Sequence, residues 1–124
     1  MGPGLLATLA LLAERGDYER AGVALGAGER VIALFLAGNL LRSPTEFLAD
    51  PLDIVAAYDL AENLGLEVVA MFHTHPAGDP VPSLRDVEGM RLWPMPWIVA
   101  SPRGVRAWAL SGGSVVEVPI EVAR

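Results

Sequence analysis

The chain has only two histidines, His73 and His75, and they stand one residue apart. An apolar run, Val68-Val69-Ala70-Met71-Phe72, leads straight into them and reads as a buried strand. Side chains at i and i+2 on a strand share a face, so both imidazoles are expected to emerge side by side. A lone histidine is more often structural. Two presented together after a buried strand are what a chain offers to one metal ion.

The third ligand is less plain, because two carboxylates follow. Asp79 sits in a Gly-Asp-Pro turn, where aspartate is common for backbone reasons. Asp86 also has an ordinary explanation: Ser83-x-x-Asp86 is a capping box at the start of a helix. Between the histidines and that helix, the stretch Pro76 to Pro82 contains three prolines and a glycine and must be a stiff loop. If it folds the helix back over the strand end, Asp86 faces the histidines. Ser83, three residues earlier on the same helical face, then turns its hydroxyl into the same space. Two histidines and one aspartate leave a fourth tetrahedral position for water, which separates catalytic from structural zinc. Such a nitrogen and oxygen set suits zinc without being exclusive to it.

The elements that must position these residues can be placed in order. Residues 4–15 read as a first helix, buried and broken at Gly16-Asp17. Glu19 to Gly26 is a short strand whose glycines, Gly22 and Gly26, suggest a bulge or a close backbone approach. Ala27-Gly28-Glu29 turns it into a strong strand, Arg30 to Leu36, and Gly38 to Glu46 reads as a surface loop. Asp50 as N-cap and Pro51 at the first helical position open a second helix, which Gly65 ends. Its apolar stripe is read as Leu52, Val55, Ala56, Leu60 and Leu64. Glu67 to Phe72 is the central strand, and a third helix starts at Ser83. Strands at Trp97–Ala100, Val105–Leu110 and Ser114–Val118 follow, with turn-like links that suggest an antiparallel meander. This order predicts an α/β fold: one mixed, largely antiparallel sheet with helices packed on it.

Composition bounds the chemistry. At 124 residues the chain is expected to form a single domain, 1–124, with 52% apolar and 19% charged residues suiting a compact globule. It has no cysteine, which excludes disulfides, thiolate–zinc sites and a cysteine nucleophile. All nine basic residues are arginine, so lysine chemistry is excluded too. A net charge of −6 argues against a broad phosphate-binding surface, and no nucleic-acid partner is expected. The largely apolar segment Leu5–Ala13 has no positive residue before it and is far shorter than the ~18 residues of a membrane span. No membrane partner is expected, and the expected location is cytoplasmic.

His-x-His, seven residues, Ser, two residues, Asp is the signature of the JAMM (MPN+) metallopeptidases, and His73, His75, Ser83 and Asp86 match it without gaps. Upstream, Glu19 ahead of Gly22 and Gly26 resembles the family's glutamate before a Gly-x-x-x-Gly strand. Asn39, the Ser43–Asp50 loop, the Asp50-Pro51 helix start and the Trp97–Ser101 strand follow in family order, so the resemblance spans roughly residues 19–101. It implies an MPN/JAB-like fold of cytidine-deaminase-like arrangement, in a minimal prokaryotic form without room for long insertions. It further implies one zinc per chain, held by His73, His75 and Asp86. Glu19 would be the general base toward the attacking water, and Ser83 would hydrogen-bond the oxyanion or help hold the water. Zinc brings water toward neutral pKa, and a general base must lie within hydrogen-bond reach of it. Without the resemblance, Glu19 reads as a solvated charge beside Arg20.

The implied activity is zinc-dependent peptidase or isopeptidase cleavage after the C-terminal glycine of a ubiquitin-like or sulfur-carrier protein. The product would be either a freed lysine on another protein or a small amino acid released from a carrier tail. Strand addition at an apolar edge would suit such a tail. Two alternatives stand beside it. The loop also resembles that of RadC-type, DNA-repair-associated JAB domains, although the net charge and the Glu19/Gly22/Gly26 pattern weigh against this. Non-catalytic MPN scaffolds usually lack metal ligands, and here every expected ligand is present. Thr74, where relatives often have serine, and Ala21, where cysteine is frequent, are departures that leave the site residues untouched.

Overall fold

A computed structural model describes residues 1–14, 19–38 and 50–121. In chain order they form α1 (Pro3–Glu14), β1 (Ala21–Ala27), β2 (Arg30–Ala37), α2 (Pro51–Leu64), β3 (Glu67–Thr74), α3 (Leu84–Leu92), β4 (Trp97–Ser101), β5 (Gly104–Ser111) and β6 (Ser114–Val118). The strands make one six-stranded sheet in the order β2-β1-β3-β4-β5-β6. Only β3 and β4 pair in parallel; the other four pairings are antiparallel. The expected mixed, largely antiparallel sheet with packed helices is what forms. The expected break at Gly16-Asp17, Asn39 and the loop residues 39–49 lie outside the described residues.

Each face of the sheet has its own core. On one side α1 sets Leu9 and Ala13 against Ala24, Ala70, Phe72, Ile98, Ala100 and Ala107. On the other, α2 and α3 bring Ala57, Ala61 and Met90 onto Val23, Leu25, Met71 and Trp97. The parallel β3–α3–β4 unit matters most for the site. Its crossover returns the chain so that the start of α3 lies beside the end of β3, on the face carrying Met71 and His73.

The glycines of β1 have the expected steric cause. A Cβ on Gly22 would lie 2.1 Å from the Phe35 carbonyl oxygen and 2.7 Å from the Phe72 ring. One on Gly26 would lie 1.8 Å from the Arg30 carbonyl oxygen, and the β1–β2 register slips between Leu25 and Gly26. The caps of α2 also form as expected. The Asp50 carboxylate accepts from the Leu52 N–H, and Gly65 closes the helix at φ 69°.

Two expectations about helices are corrected. The stripe read for α2 points to solvent: Leu52 is 78% exposed, and Val55 and Leu64 are 58% exposed. The helix docks instead through Ala57 and Ala61, whose small side chains allow close approach to the sheet. Apolar residues ring most of this helix, so periodicity alone fits more than one stripe. The first helix is not buried as a whole either. It lies on the sheet with Leu9 and Ala13 inward while Leu11 is 53% exposed. No helix among the described residues is long and apolar enough to cross a membrane.

Candidate metal centre

Three elements meet at the end of β3. His73 is in the strand ladder, opposite Ala21 of β1 and beside Val99 of β4. His75 lies just past the strand, but its N–H still donates to the Ala100 carbonyl at 2.8 Å. The backbone therefore stays extended, and the two rings fall on one face, their Nε2 atoms 3.0 Å apart.

The first residues before β1 continue its antiparallel register past the last ladder pair. Arg20 meets Thr74: the Thr74 N–H donates to the Arg20 carbonyl at 2.8 Å, and the Arg20 N–H donates to Thr74 Oγ1 at 2.9 Å. One step further, Glu19 comes opposite His75, with Oε1 3.5 Å from His75 Nε2. This explains how a residue so distant in sequence reaches the histidines. Glu19 is 2% exposed, which overturns its reading as a solvated charge.

From the other side comes α3. Ser83 is its N-cap, and the capping box is complete: Ser83 Oγ accepts from the Asp86 N–H at 3.2 Å, and Asp86 Oδ2 accepts from the Ser83 N–H at 2.8 Å. The same Oδ2 lies 2.9 Å from His73 Nε2 and 3.1 Å from His75 Nε2. The two explanations of Asp86 thus coexist in one oxygen atom. Ser83 is exposed, and because its oxygen accepts from Asp86, its hydroxyl hydrogen remains available to donate.

The rival carboxylate, Asp79, turns outward to Arg103 Nη1 at 2.9 Å, an exposed pair. Its backbone carbonyl has the role that sequence reasoning missed, accepting from His75 Nδ1 at 3.1 Å. That bond places the hydrogen of a neutral ring on Nδ1 and leaves the Nε2 lone pair facing the site. No residue type signals such a carbonyl contact in a sequence.

Electrostatics separates the three groups. Burial lowers the pKa of His73, and Asp86 offsets this only in part. Burial also pulls on His75, but Asp86, the Asp79 carbonyl and the Glu19 charge outweigh it and raise its pKa. Burial opposes the ionised form of Asp86, yet its close contacts with the two histidine rings and the Ser83 N–H hold it well below the usual carboxylate range. Asp86 therefore faces the two rings as a carboxylate.

This donor set fits a metal ion. Asp86 Oδ2 and the two Nε2 atoms make a triangle with edges of 2.9, 3.0 and 3.1 Å. Each Nε2 carries at most one hydrogen, aimed along one line, so hydrogen bonds do not account for all three edges. A cation would meet three lone pairs at once, and tetrahedral zinc bonds of ~2.0–2.2 Å set donors roughly 3.3 Å apart. Glu19, His73 and His75 also offer ligand atoms within 4.8 Å of one another. Both carboxylates are thus in range, Asp86 within the triangle and Glu19 one step outside it.

A family model described as prokaryotic homologs of the JAB domain matches residues 3–111. A desampylase of Pyrococcus furiosus is 40% identical over 108 residues, covering 86% of this chain and 77% of its own. A probable TtuB-protein conjugate cleaving protease of Thermus thermophilus is 40% identical over 109 residues, covering 84% of this chain and 71% of its own. The crystal structure of a JAB1/MPN domain protein from Archaeoglobus fulgidus superposes with a TM-score of 0.63 at 19% identity, covering 98% of this chain and 92% of its own. That likeness concerns the fold alone.

Proposed function

Because the chain belongs to the family of prokaryotic homologs of the JAB domain, we propose that it is a zinc-dependent isopeptidase that cleaves after the C-terminal glycine of a ubiquitin-like or sulfur-carrier protein. The names of the two relatives, a desampylase and a probable conjugate-cleaving protease, support a hydrolase that removes small protein modifiers. The observation that carries the reading is the triangle of His73 Nε2, His75 Nε2 and Asp86 Oδ2, with the buried Glu19 carboxylate beside it.

In this proposal His73, His75 and Asp86 hold one zinc per chain. When bound, zinc would supply Lewis acidity and lower the pKa of water to about 7. Glu19 then takes the proton of the attacking water and returns it to the leaving amine, restoring its own carboxylate. Its position at the edge of the donor triangle, held by the β1–β3 register, suits a base better than a ligand. Ser83, its oxygen already engaged by the Asp86 N–H, donates its hydrogen to the oxyanion that forms on the scissile carbonyl. No observation favours the RadC-type or the scaffold alternative.

The test is cleavage of a ubiquitin-like-protein fusion, with zinc content measured on the same samples. Wild type and Glu19→Gln are expected to bind equal zinc, with cleavage by the variant reduced ~10²–10⁴-fold. Equal cleavage by both forms would remove Glu19 from the chemistry.

A further inference from the structure

Two tryptophans on the histidine face of the sheet are partners across neighbouring strands. Trp97 of β4 and Trp108 of β5 are direct register partners. Both lie on the α2/α3 side of the sheet, Trp97 in the buried core and Trp108 packed against it. That is the face on which His73 stands.

Trp97 serves the first histidine and the helix. Its ring meets His73 edge-on, with centroids 5.7 Å apart and planes at 74°. It also underlies α3: a Cβ on Gly89, one turn beyond Asp86, would come within 2.6 Å of the indole. Its Nε1 donates to the Trp93 carbonyl at the end of that helix at 3.1 Å. One side chain thus sets the distance between the strand carrying His73 and the helix carrying Asp86.

Trp108 serves the second histidine at one remove. Its Nε1 donates to the Pro80 carbonyl at 2.9 Å. The preceding carbonyl, that of Asp79, is the one that accepts from His75 Nδ1. Consecutive carbonyls of one dipeptide are therefore fastened to Trp108 and to the His75 ring. The Pro80 ring limits the backbone between them. The only other side-chain tie to this dipeptide among the described residues is Arg103 on the Asp79 carboxylate, exposed and weak. His75 lies beyond the ladder, where the Ala100 carbonyl holds its backbone and this chain of contacts holds the Nδ1 edge of its ring.

We infer that the cross-strand pair Trp97–Trp108 is the frame that pre-sets both imidazoles for metal, Trp97 by direct packing on His73 and Trp108 through the Asp79-Pro80 carbonyls that orient His75. Both are positioning residues, and the inference rests on the metal-dependent reading above. Outer contacts that orient a ligating histidine typically change metal affinity 10–100-fold when removed. Trp108→Phe keeps an aromatic ring on β5 and deletes the N–H donor.

The experiment is zinc affinity by competition with a chromogenic chelator, alongside the melting temperature of the metal-free protein. Trp108→Phe is expected to weaken zinc binding about tenfold or more with the metal-free melting temperature little changed. Affinity within about twofold of wild type overturns the inference, as does a weakened affinity that merely follows a large loss of metal-free stability. A second measurement uses wild type alone. If the Trp108 bond supports zinc, zinc must in turn support the bond, since coupling is reciprocal. Zinc should therefore slow hydrogen exchange of the Trp108 indole N–H, and an unchanged rate contradicts the frame. A wild type that binds no zinc would instead overturn the metal-dependent reading, so the two failures are distinguishable.

Discussion

His73 and His75 are separated by one residue and share one carboxylate oxygen, yet they are held in different ways. His73 is fully buried in the sheet, packed on Trp97 and flanked by β1 and β4. His75 stands past the strand end, 14% exposed, and takes its orientation from a loop carbonyl. Their pKa values move in opposite directions: burial prevails at His73, while at His75 burial is outweighed by Asp86, the Asp79 carbonyl and Glu19 together. The site thus joins an imidazole fixed by the sheet to one fixed by local hydrogen bonds. Asp86 ties them together from α3.

The sharpest way to break this contrast is to remove each ring in turn. Both His73→Ala and His75→Ala are expected to abolish tight metal binding. In the metal-free protein, however, His73→Ala should cost about 2–4 kcal/mol, because it leaves a cavity in a closed part of the sheet. His75→Ala should cost under ~1 kcal/mol. Denaturant unfolding in the presence of chelator reads the difference, and equal losses would erase the distinction. Asp86→Asn probes the group that joins the two. An amide oxygen can still accept the Ser83 N–H, so the cap should survive, whereas metal affinity should fall beyond the ~10–100-fold typical of outer contacts.

Ser83→Ala tests the edge of the site. Loss of the N-cap should cost about 1 kcal/mol, and cleavage should fall ~10²-fold if the hydroxyl serves the oxyanion. Thermal melting and turnover measured together separate the two roles. The smallest effect is expected away from the site. Leu52→Ser with Val55→Ser should change stability by less than ~0.5 kcal/mol per site, since both side chains face solvent. Ala57→Leu, on the docked face, should cost about 1–3 kcal/mol by overpacking.

Much of this arrangement was legible in the residues. The i, i+2 spacing after an apolar run placed both imidazoles on one face, and a proline-rich loop followed by Ser83 and Asp86 signalled the returning helix. Asp50-Pro51 and Gly65 marked the ends of α2 because caps depend on local chemistry. What depends on packing was less visible. The inward face of α2 was misread because its docking residues are alanines, weaker markers than the leucines around them. Glu19 resembled a surface charge because its burial follows from the β1–β3 register, a non-local property. The Asp79 carbonyl and the Trp108 indole left no trace, since any residue has a carbonyl and a tryptophan does not name its acceptor.

Asp86, rather than Glu19, is proposed to complete the protein ligands of the metal. The most direct test is a crystal structure of the zinc-loaded protein, with the ion located by anomalous scattering. The expected result is zinc ~2.0–2.2 Å from His73 Nε2, His75 Nε2 and Asp86 Oδ2, with the Glu19 carboxylate nearby but not bonded. Zinc bonded to Glu19 with Asp86 left only as a helix cap would contradict the account.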